Sequence, residues 1–507
     1  MAFTPYSKRL RELASTRGDQ VALVVETPDA TETYDFPTYD ERVDAFASGM
    51  MDAGVKAGGA VIVCGPNSSA TVFATAATWR LGAFSVVISA RASAQDLAAY
   101  IEILGERYPR VTVVSDHLTP GAGAGHVPLD ALHEGRCDRE IVDHNPVPAR
   151  AIPSGGTTGR SKLIVDPAPV GYSDEPMLLS PLGFDDVDSI LVYGPLYHTA
   201  GGNLLHLAIA KGYRTVLMDR FDAMRAQHLI EKHAIEFLFA VPTHLQRWLN
   251  LGDGLRRDAF RTIRSMYHTA AYCPPALKER WLEFMGPERV WEAYGATEGT
   301  GATMIRGDEW LEHRGSVGKA MPFCELVILD DDQAPVPTGE IGFIYMRVAG
   351  AETVDDGRSV YMGVEGPRVT PDGFRTVGDM GRLDEEGYLY IADRRTDMII
   401  TGGANVFPAE VEAALRDHPG ITDAAVVGVP DADWGRRVCA VVVPAEADSP
   451  PSVAALDAYM SGAVANYKRP KRYEFRDVLP LTEVGKLNRR VLTEECTARY
   501  AAEGGKD

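Results

Sequence analysis

Short apolar runs alternate with segments of helical spacing through the first half of the chain. Runs that end in turn residues and predict buried strands lie at 60–65, 85–89, 111–115 and 215–218. Segments 68–83 and 94–108 carry apolar residues at helical spacing, and Ser93 stands where the second helix needs an N-cap. Because helices that connect parallel strands cover the faces of a sheet, this alternation predicts an α/β fold with parallel-rich sheets.

The pattern changes near residues 394–397. From there the chain shows a polar turn, a short strand, a glycine pair, a helix that begins near Pro408, and apolar runs at 421–431 and 436–444 that predict two more strands. This predicts a smaller α+β unit after a large multi-subdomain body. We therefore predict an N-terminal domain over residues 1–395 and a C-terminal domain over 396–507.

Composition narrows the possible partners. The 507 residues include 51 Lys and Arg against 71 Asp and Glu, a net charge of −20. Such an excess of acid argues against binding to nucleic acid or to an anionic membrane surface, so any polyanionic ligand needs a local set of donors. Six scattered cysteines, no signal peptide and no apolar run of about 18 residues lead us to expect a cytoplasmic protein with no membrane span.

The segment "IPSGGTTGRSK" at 152–162 is rich in glycine and hydroxyl groups and almost devoid of apolar residues after Pro153. It lies between two predicted strands and lacks the Walker spacing. Glycines let backbone N–H groups converge on an anion, while the Ser154, Thr157 and Thr158 hydroxyls and the Lys162 ammonium add donors and charge. The segment alone is compatible with either a phosphate-binding loop or an exposed hairpin tip.

Further motifs decide between these interpretations. They are "PLYHTAGG" at 195–202, "HTAAYCP" at 268–274, "YGATEG" at 294–299, "RTVGDMG" at 375–381, "DRRTDMIITGG" at 393–403 and "LPLTEVGKLNRR" at 479–490. Their order and spacing resemble the adenylate-forming superfamily of acyl- and aryl-CoA synthetases, peptide-synthetase adenylation domains and luciferases. The forms "SGGTTG" and "GGANVFPAEVE" are most similar to the acyl-CoA synthetases.

The resemblance implies that a carboxylic acid reacts with ATP to give an acyl-adenylate, and that coenzyme A then displaces AMP. ATP/AMP, Mg²⁺ and coenzyme A are the implied cofactors, and a small-molecule carboxylic acid or its acyl-adenylate is the implied partner. Lys486 would offset negative charge as the anhydride forms, Glu298 would bind Mg²⁺, and His198 would border the acyl pocket.

The remaining implied site residues bind the nucleotide or coenzyme A or permit motion between the domains. The phosphate loop would use Ser154, Gly155, Gly156, Thr157, Thr158, Gly159 and Lys162. The adenosine would contact Ala270, Ala271, Tyr294, Gly295, Thr297, Asp379 and Arg394. Gly402 and Gly403 would line the coenzyme A channel after the C-terminal domain rotates about Thr396.

Several features depart from the family pattern or leave alternatives open. Ser161 replaces a usual Pro and Val377 a usual Thr, so one alternative is an enzyme that mainly converts a supplied acyl-adenylate to the thioester. A basic segment at 467–475 would also suit an acidic carrier protein as acceptor. A non-catalytic nucleotide-binding regulator and a luciferase-type oxygenase are further alternatives. Small residues including Gly201 and Gly202 predict room for a bulky or cyclic acid.

Overall fold

The computed structural model describes most of the chain. The described residues are 3–121, 124–133, 135–137, 139–155, 161–166, 169–173, 179–348, 361–364, 366–431, 433–482 and 486–502. Their secondary structure confirms the α/β class that the alternating pattern predicts.

The strands are, in chain order, β1 Thr4–Pro5, β2 Val21–Glu26, β3 Thr31–Asp35, β4 Ala60–Gly65, β5 Phe84–Ser89, β6 Val111–Val114, β7 Gly125–Val127, β8 Arg150–Gly155, β9 Ser161–Asp166, β10 Gly171–Tyr172, β11 Ser189–Val192, β12 Arg214–Met218, β13 Phe237–Ala240, β14 Ser265–His268, β15 Val290–Gly295, β16 Ala302–Arg306, β17 Lys319–Ala320, β18 Cys324–Leu329, β19 Gly342–Val348, β20 Tyr361–Met362, β21 Arg368–Val369, β22 Arg375–Thr376, β23 Asp379–Leu383, β24 Leu389–Arg394, β25 Ile399–Thr401, β26 Ala404–Val406, β27 Ile421–Asp431, β28 Gly435–Pro444 and β29 Arg472–Phe475.

The α-helices are α1 Tyr6–Thr16, α2 Phe36–Asp52, α3 Ser69–Arg80, α4 Ala94–Gly105, α5 Leu129–His133, α6 Leu204–Lys211, α7 Ala223–Lys232, α8 Pro242–Leu249, α9 Pro275–Met285, α10 Gly307–Glu312, α11 Pro408–Arg416, α12 Val453–Ala463 and α13 Arg489–Ala502.

Two large sheets with parallel centres form the body of the protein. One runs in the order β17-β16-β15-β14-β13-β11-β12-β2-β3, with parallel pairs from β15 through β2. The other runs β20-β9-β8-β5-β4-β6-β7, with parallel pairs from β8 through β7. Antiparallel strands flank both parallel centres, so the hairpins lie at the sheet edges.

Helix α3 shows why the core that it forms with α1, α2, β4 and β5, the first core, is so apolar. Every residue of α3 is buried, and its sequence "SATVFATAATWR" has small or apolar side chains on all faces. A helix that is apolar all round has to be covered on all sides, and α3 packs with α1, α2, β4 and β5. Its Phe73 and Trp79 belong to the core cluster that joins these elements.

The glycine-rich segment forms a hairpin, as its position between two predicted strands requires. Strand β8 pairs antiparallel with β9, from Arg150 opposite Asp166 to Gly155 opposite Ser161. Residues Gly156, Thr157, Thr158 and Gly159, which the sequence assigns to phosphate binding, lie outside the described residues.

A third, antiparallel sheet joins β21, β22, β19, β23 and β24, with β18 beside β19. It ends at Arg394, where a turn begins in which the Asp397 and Met398 amides both donate to the Arg394 carbonyl oxygen. Beyond the turn, β27 and β28 pair antiparallel, β29 joins β28 in parallel, and α11 packs on β27. The change of sheet therefore coincides with the turn in which we predict the domain boundary.

Among the described residues, no helix is both long enough and apolar enough to cross a membrane.

A buried cation anchors α3 to α2. The Arg80 side chain is fully buried; it donates to Ser7 Oγ at 2.7 Å and to Asp44 Oδ1 at 2.8 Å, and it pairs closely with Asp40. A buried charge is tolerated only when it is paired and hydrogen-bonded. These contacts tie the two helices of the first core together.

Replacing Arg80 with Met should therefore destabilise the body strongly, because Asp40 and Asp44 would lose their buried counter-charge. We expect Arg80→Met to lower the free energy of unfolding by about 3 kcal/mol in urea denaturation. The control is Arg306→Ala, which removes the exposed pair with Asp308 and should cost less than about 1 kcal/mol. Similar losses in both variants would contradict this account of Arg80.

Candidate active site

A cleft of about 1600 Å³ lies where the body meets the C-terminal unit. Its body side includes His198, Glu298 and Asp379, and its C-terminal side includes Lys486 and Arg489. Side chains that are up to 291 residues apart in sequence, as His198 and Arg489 are, thus face one space. Further candidate residues on its wall are Lys162, Ala270, Ala271, Tyr294, Gly295, Thr297, Arg394 and Thr396.

Glu298 lies at the centre of a small charged cluster. Its Oε1 accepts a hydrogen bond of 2.5 Å from the Tyr361 hydroxyl, and the same oxygen is 3.6 Å from Lys162 Nζ. The Lys162 ammonium lies 3.7 Å from the centroid of the Tyr361 ring, within the range of a cation–π contact. Burial and the Glu298 charge raise the pKa of Tyr361, so this hydroxyl stays protonated and donates.

Strand pairing explains how these groups meet. Strand β9 carries Lys162, and β20 adds to its free edge with Tyr361 opposite Ile164. Among the described residues, Glu298 Oε2 accepts no hydrogen bond. The cluster therefore leaves one carboxylate oxygen available to a ligand beside the glycine-rich hairpin. Sequence reasoning missed Tyr361, because no motif among those quoted above includes it.

Asp379 uses both carboxylate oxygens. Its Oδ2 accepts from the Tyr294 hydroxyl at 2.9 Å, and its Oδ1 accepts from Arg394 Nε at 2.9 Å. The pairing of β23 with β24 places Asp379 directly opposite Arg394. Asp379 is buried, whereas the Arg394 side chain remains 56% exposed. The Asp379 charge raises the pKa of Arg394, and burial together with that charge raises the pKa of Tyr294.

Lys486 approaches the same space from the C-terminal unit. Its backbone N–H donates to Thr482 Oγ1, and its carbonyl accepts from the Thr482 N–H, which fixes a tight turn. Burial, and then the Arg394 cation, lower the pKa of Lys486, while Asp379 and Glu298 act in the opposite direction. The main cause is the loss of hydration of the buried ammonium, and an anion bound beside Lys486 would offset that loss by stabilising its charged form.

His198 borders the cleft at the N-terminus of a π-helical turn over Thr199–Asn203, which continues into α6. Burial and the nearby Lys486 cation lower the pKa of His198 to about 4, so its imidazole is neutral at pH 7. Thr199 Oγ1 donates to Thr297 Oγ1 at 3.1 Å, which links this turn to the loop that carries Glu298.

Gly201 and Gly202 have a packing role in that turn. A Cβ on Gly201 would lie 2.3 Å from the Pro195 carbonyl oxygen, and one on Gly202 would lie 2.4 Å from that of Leu196. Such distances are far inside van der Waals contact, so only glycine fits. Their small size therefore follows from the backbone of the turn, and it does not by itself provide room for a large acid.

The segment that follows β14 contributes small residues to the wall of the cleft. Ala270 has φ +76°, a left-handed conformation that costs an Ala residue of the order of 1 kcal/mol. With Ala271, Tyr294 and Gly295 it forms a flat, largely apolar surface at the side of the cleft nearest Asp379.

The structure does not bring every candidate together. Gly402 and Gly403 form the two-residue turn between β25 and β26, with φ +54° and +82°, and they do not line the cleft. The backbone of Ser154 and Gly155 lies in β8 beside the hairpin tip.

A hydrogen bond joins the C-terminal unit to the body beside the turn. Asp393 Oδ2 of the body accepts from the Ala409 N–H in the first turn of α11. Within the C-terminal unit, Arg489 Nε lies 3.4 Å from Asp397 Oδ2, which connects the start of α13 to the turn. No sequence motif pointed to either pair, since each depends on the course of the turn at 395–398.

Comparisons with known proteins agree with this geometry. A family model for "AMP-binding enzyme" matches residues 10–352, and one for "AMP-binding enzyme C-terminal domain" matches residues 410–486. The chain is 30% identical to a 2-succinylbenzoate–CoA ligase of Geobacillus kaustophilus over 92% of this chain and 94% of the relative. It is 34% identical to a long-chain-fatty-acid–CoA ligase of Bacillus subtilis, over 62% of this chain and 56% of that relative.

Among solved structures, an o-succinylbenzoate coenzyme A synthetase of Bacillus subtilis in complex with ATP and a magnesium ion superposes with a TM-score of 0.80. The sequences are 26% identical, and the match covers 96% of this chain and 99% of the other. The chain therefore belongs to the AMP-binding enzyme family, and within it to the adenylate-forming ligases of the acyl-CoA synthetase type.

Proposed function

We propose that this protein is an AMP-forming acyl-CoA ligase that makes an acyl-adenylate and then a coenzyme A thioester in one cleft. The observation that carries the proposal is the meeting of Lys486, from the C-terminal unit, with Glu298, Asp379 and His198 from the body. Carboxylate activation needs a cation beside the reacting groups and oxygen ligands for phosphate-bound metal, and this cleft supplies both.

In the first step, a carboxylate oxygen of the substrate attacks the α-phosphorus of ATP, and the bond to pyrophosphate breaks. Two anions must approach each other for this reaction. The Lys486 ammonium offsets their repulsion, and the incoming negative charge in turn restores the cationic form of Lys486 that burial disfavours. Lys162 and the hairpin between β8 and β9 hold the phosphates that depart.

Asp379 and Tyr294 orient the nucleoside. Asp379 is fixed by Arg394 and Tyr294, and the second lone pair of each carboxylate oxygen can accept from a ribose hydroxyl. The wall of Ala270, Ala271 and Gly295 offers a flat surface for the adenine.

The residues present fit a Mg²⁺ ion, because Glu298 offers a hard oxygen ligand whose Oε2 accepts no hydrogen bond from the described residues. When bound, the ion would neutralise charge on the phosphate oxygens. Tyr361 and Lys162 hold the Glu298 carboxylate in position for it.

In the second step, the thiol sulfur of coenzyme A attacks the acyl carbon, and AMP leaves. Lys486 stands beside the reacting carboxylate in the first step, so the C-terminal unit has to turn about Thr396 before the thiol can enter. That rotation would bring Gly402 and Gly403 to the cleft. His198, neutral at pH 7 and bordering the acyl side, would line the path of the thiol.

We place the reaction in the cytoplasm and assign residues 1–395 and 396–507 to the two moving domains. All six cysteines are free, which suits a reducing compartment. The end of the body's last sheet at Arg394 supports the boundary.

Removal of the Lys486 ammonium should separate the two steps. In Lys486→Ala we expect acid-dependent release of pyrophosphate to fall at least about 100-fold, since a positioned charge is lost from the transition state. Thioester formation from a synthetic acyl-adenylate should stay within about threefold of the parent enzyme, because that step follows the departure of Lys486.

The matched control is Lys468→Ala, which removes another lysine of the C-terminal unit, one that pairs with Glu410. Both rates should be unchanged in this variant. Equal loss of both steps in Lys486→Ala would contradict the assignment of Lys486 to adenylation alone.

Glu298→Gln should weaken the metal site and leave the fold intact, because the amide oxygen can still accept from Tyr361. We expect the Mg²⁺ concentration for half-maximal pyrophosphate release to rise at least about tenfold, as a neutral ligand replaces an anionic one. The exposed Glu312→Gln is the control for loss of one negative charge. An unchanged Mg²⁺ dependence in Glu298→Gln would exclude Glu298 as a metal ligand.

A further inference from the structure

A small cavity of about 30 Å³ adjoins the main cleft and shares the walls formed by Ile152, Tyr197 and His198 with it. His198, which the proposed function places beside the acyl group, thus forms part of the wall between the two spaces. A volume of this size accommodates a water molecule or one small substituent and is far too small for an alkyl chain. Its other walls are Thr75, Trp79, Ser85, Val87, Arg150, Ala151, Leu196, Gly202, Asn203 and His206.

Three polar side chains on this wall have unused hydrogen-bonding atoms among the described residues. Arg150 donates from Nε and Nη2 to Asp166 Oδ2 at 3.0 and 2.7 Å, while its Nη1 has no partner. His206 is only 4% exposed; its Nδ1 lies 2.9 Å from the Tyr6 hydroxyl, and its Nε2 has no partner. The Asn203 amide, half-buried, makes no hydrogen bond in the described part of the chain.

Three other polar side chains on the wall, those of Thr75, Trp79 and Ser85, are satisfied within the protein. Thr75 Oγ1 donates to the Thr71 carbonyl at 2.8 Å. Trp79 Nε1 donates to Ser85 Oγ at 2.9 Å, and that hydroxyl donates to the Ala149 carbonyl at 3.3 Å. Apart from His198, which the cavity shares with the main cleft and whose ring nitrogens make no hydrogen bond with the described residues, the unused atoms belong to Arg150, Asn203 and His206, which come from two separate parts of the fold.

The fold brings these three side chains together next to the reaction centre. Arg150 begins β8, the strand that leads into the glycine-rich hairpin. Asn203 ends the π-helical turn that starts directly after His198, and His206 lies in the first turn of α6. The strand that leads into the glycine-rich segment and the turn that follows His198 thus both contribute to the wall of the cavity.

Leaving a buried polar group unpaired costs about 1–3 kcal/mol. A wall with several such groups is therefore suited to a ligand or water that completes their hydrogen bonds. Arg150 Nη1 and the Asn203 amide can both donate, so the complementary group is an oxygen acceptor.

We propose that this cavity is a specificity subsite that binds a neutral oxygen substituent, a hydroxyl or a carbonyl, at the end of the acyl group remote from the reacting carboxylate. The proposal rests on the acyl-CoA ligase function above and names the class of acid that the enzyme prefers. A compact acid of aryl size would lie in the main cleft and place its oxygen substituent in the cavity, whereas an unsubstituted alkyl chain would leave the donors of the cavity unpaired.

The charges around the cavity favour a neutral group over a second carboxylate. Asp166 already pairs with Arg150 and compensates its charge. Burial, and then the Arg150 cation, lower the pKa of His206 to about 3, so this imidazole is neutral at pH 7. The wall offers donors without an unpaired cation, which is the environment that a hydroxyl or carbonyl needs.

The test compares phenylpropanoic acids that carry a hydroxyl or a methyl group at the same ring position, for each position in turn. We expect kcat/KM for coenzyme A thioester formation to be at least about tenfold higher for the hydroxy acid at the best position. The reason is that a methyl group leaves the buried donors without an acceptor. Methyl acids that equal or exceed their hydroxy partners at every position would overturn the proposal. So would a preference for the corresponding dicarboxylic acids.

Two variants connect that preference to the cavity. Asn203→Leu and His206→Phe should each lower the ratio of kcat/KM for the hydroxy acid to kcat/KM for the methyl acid toward one. Thr75→Val is the matched control: it lines the same cavity, but its hydroxyl is already used within α3, so the ratio should be unchanged. A preference that persists in both Asn203→Leu and His206→Phe would refute the assignment.

A binding measurement separates this proposal from the proposed function. Stable acyl sulfamoyl adenosines with the matched hydroxy and methyl acyl groups can be titrated into the full-length protein by calorimetry, without turnover. We expect the hydroxy compound to bind at least about tenfold more tightly, with the preference lost in His206→Phe. Equal affinities for the hydroxy and methyl compounds would exclude the subsite even if the protein forms thioesters. Tighter binding of the hydroxy compound by a protein that forms no thioester would contradict the ligase function alone.

Discussion

Several negative charges must meet in one cleft of a protein whose own net charge is −20, and the architecture of the site follows from that requirement. The overall field of the protein repels a polyphosphate and a carboxylate, so attraction has to be local. Lys162, Arg394 and Lys486 supply it from three separate elements, while Glu298 and Asp379 hold two of these cations in place. Burial is the main cause of the lowered pKa of Lys486, so a bound anion would stabilise its charged form.

The same requirement explains why the reaction uses two units. In the mechanism that we propose, Lys486 lies between the carboxylate and the phosphate during the first step and would block the thiol during the second. Placing Lys486 on a separate unit, joined through the turn at 395–398, allows it to leave. The Asp393 contact with the first turn of α11 joins the two units, whereas the Arg489–Asp397 pair lies within the C-terminal unit. The Asp393 side chain is half-buried next to the turn, so its hydrogen bond is one that rotation of the C-terminal unit would exchange.

Sequence patterns predicted the parts of the fold that have strong local signals. Ser93 forms the capping box that its position before α4 indicated, and β27 spans the residues of the predicted apolar run. The motifs also pointed to charged residues of the cleft, since Lys162, Glu298, Asp379, Arg394 and Lys486 all line it. Tyr361 could not be found this way, because it reaches Glu298 only through the pairing of β20 with β9 across nearly 200 residues.

The polar cavity was equally invisible in the sequence. Arg150, Asn203 and His206 belong to no shared pattern, and whether a polar atom is already satisfied depends on three-dimensional neighbours such as Asp166 and Tyr6. Gly201 and Gly202 show that a sequence can also suggest a feature that the structure explains differently. Their small size suggested space for substrate, but glycine is required at both positions because carbonyl oxygens of the turn lie too close for a side chain. Residue type indicates chemistry well and available space poorly.

The central claim is that one protein performs both steps, although Ser161 and Val377 depart from the usual nucleotide-binding pattern. The most direct measurement is acid-dependent exchange of labelled pyrophosphate into ATP by the wild-type protein, followed by addition of coenzyme A to the same mixture. The account predicts that exchange requires both the acid and Mg²⁺. It also predicts that, when coenzyme A is added, the acid is converted to its coenzyme A thioester and AMP is released. Thioester formation from supplied acyl-adenylates without any exchange would contradict it, because adenylation would then belong to another enzyme.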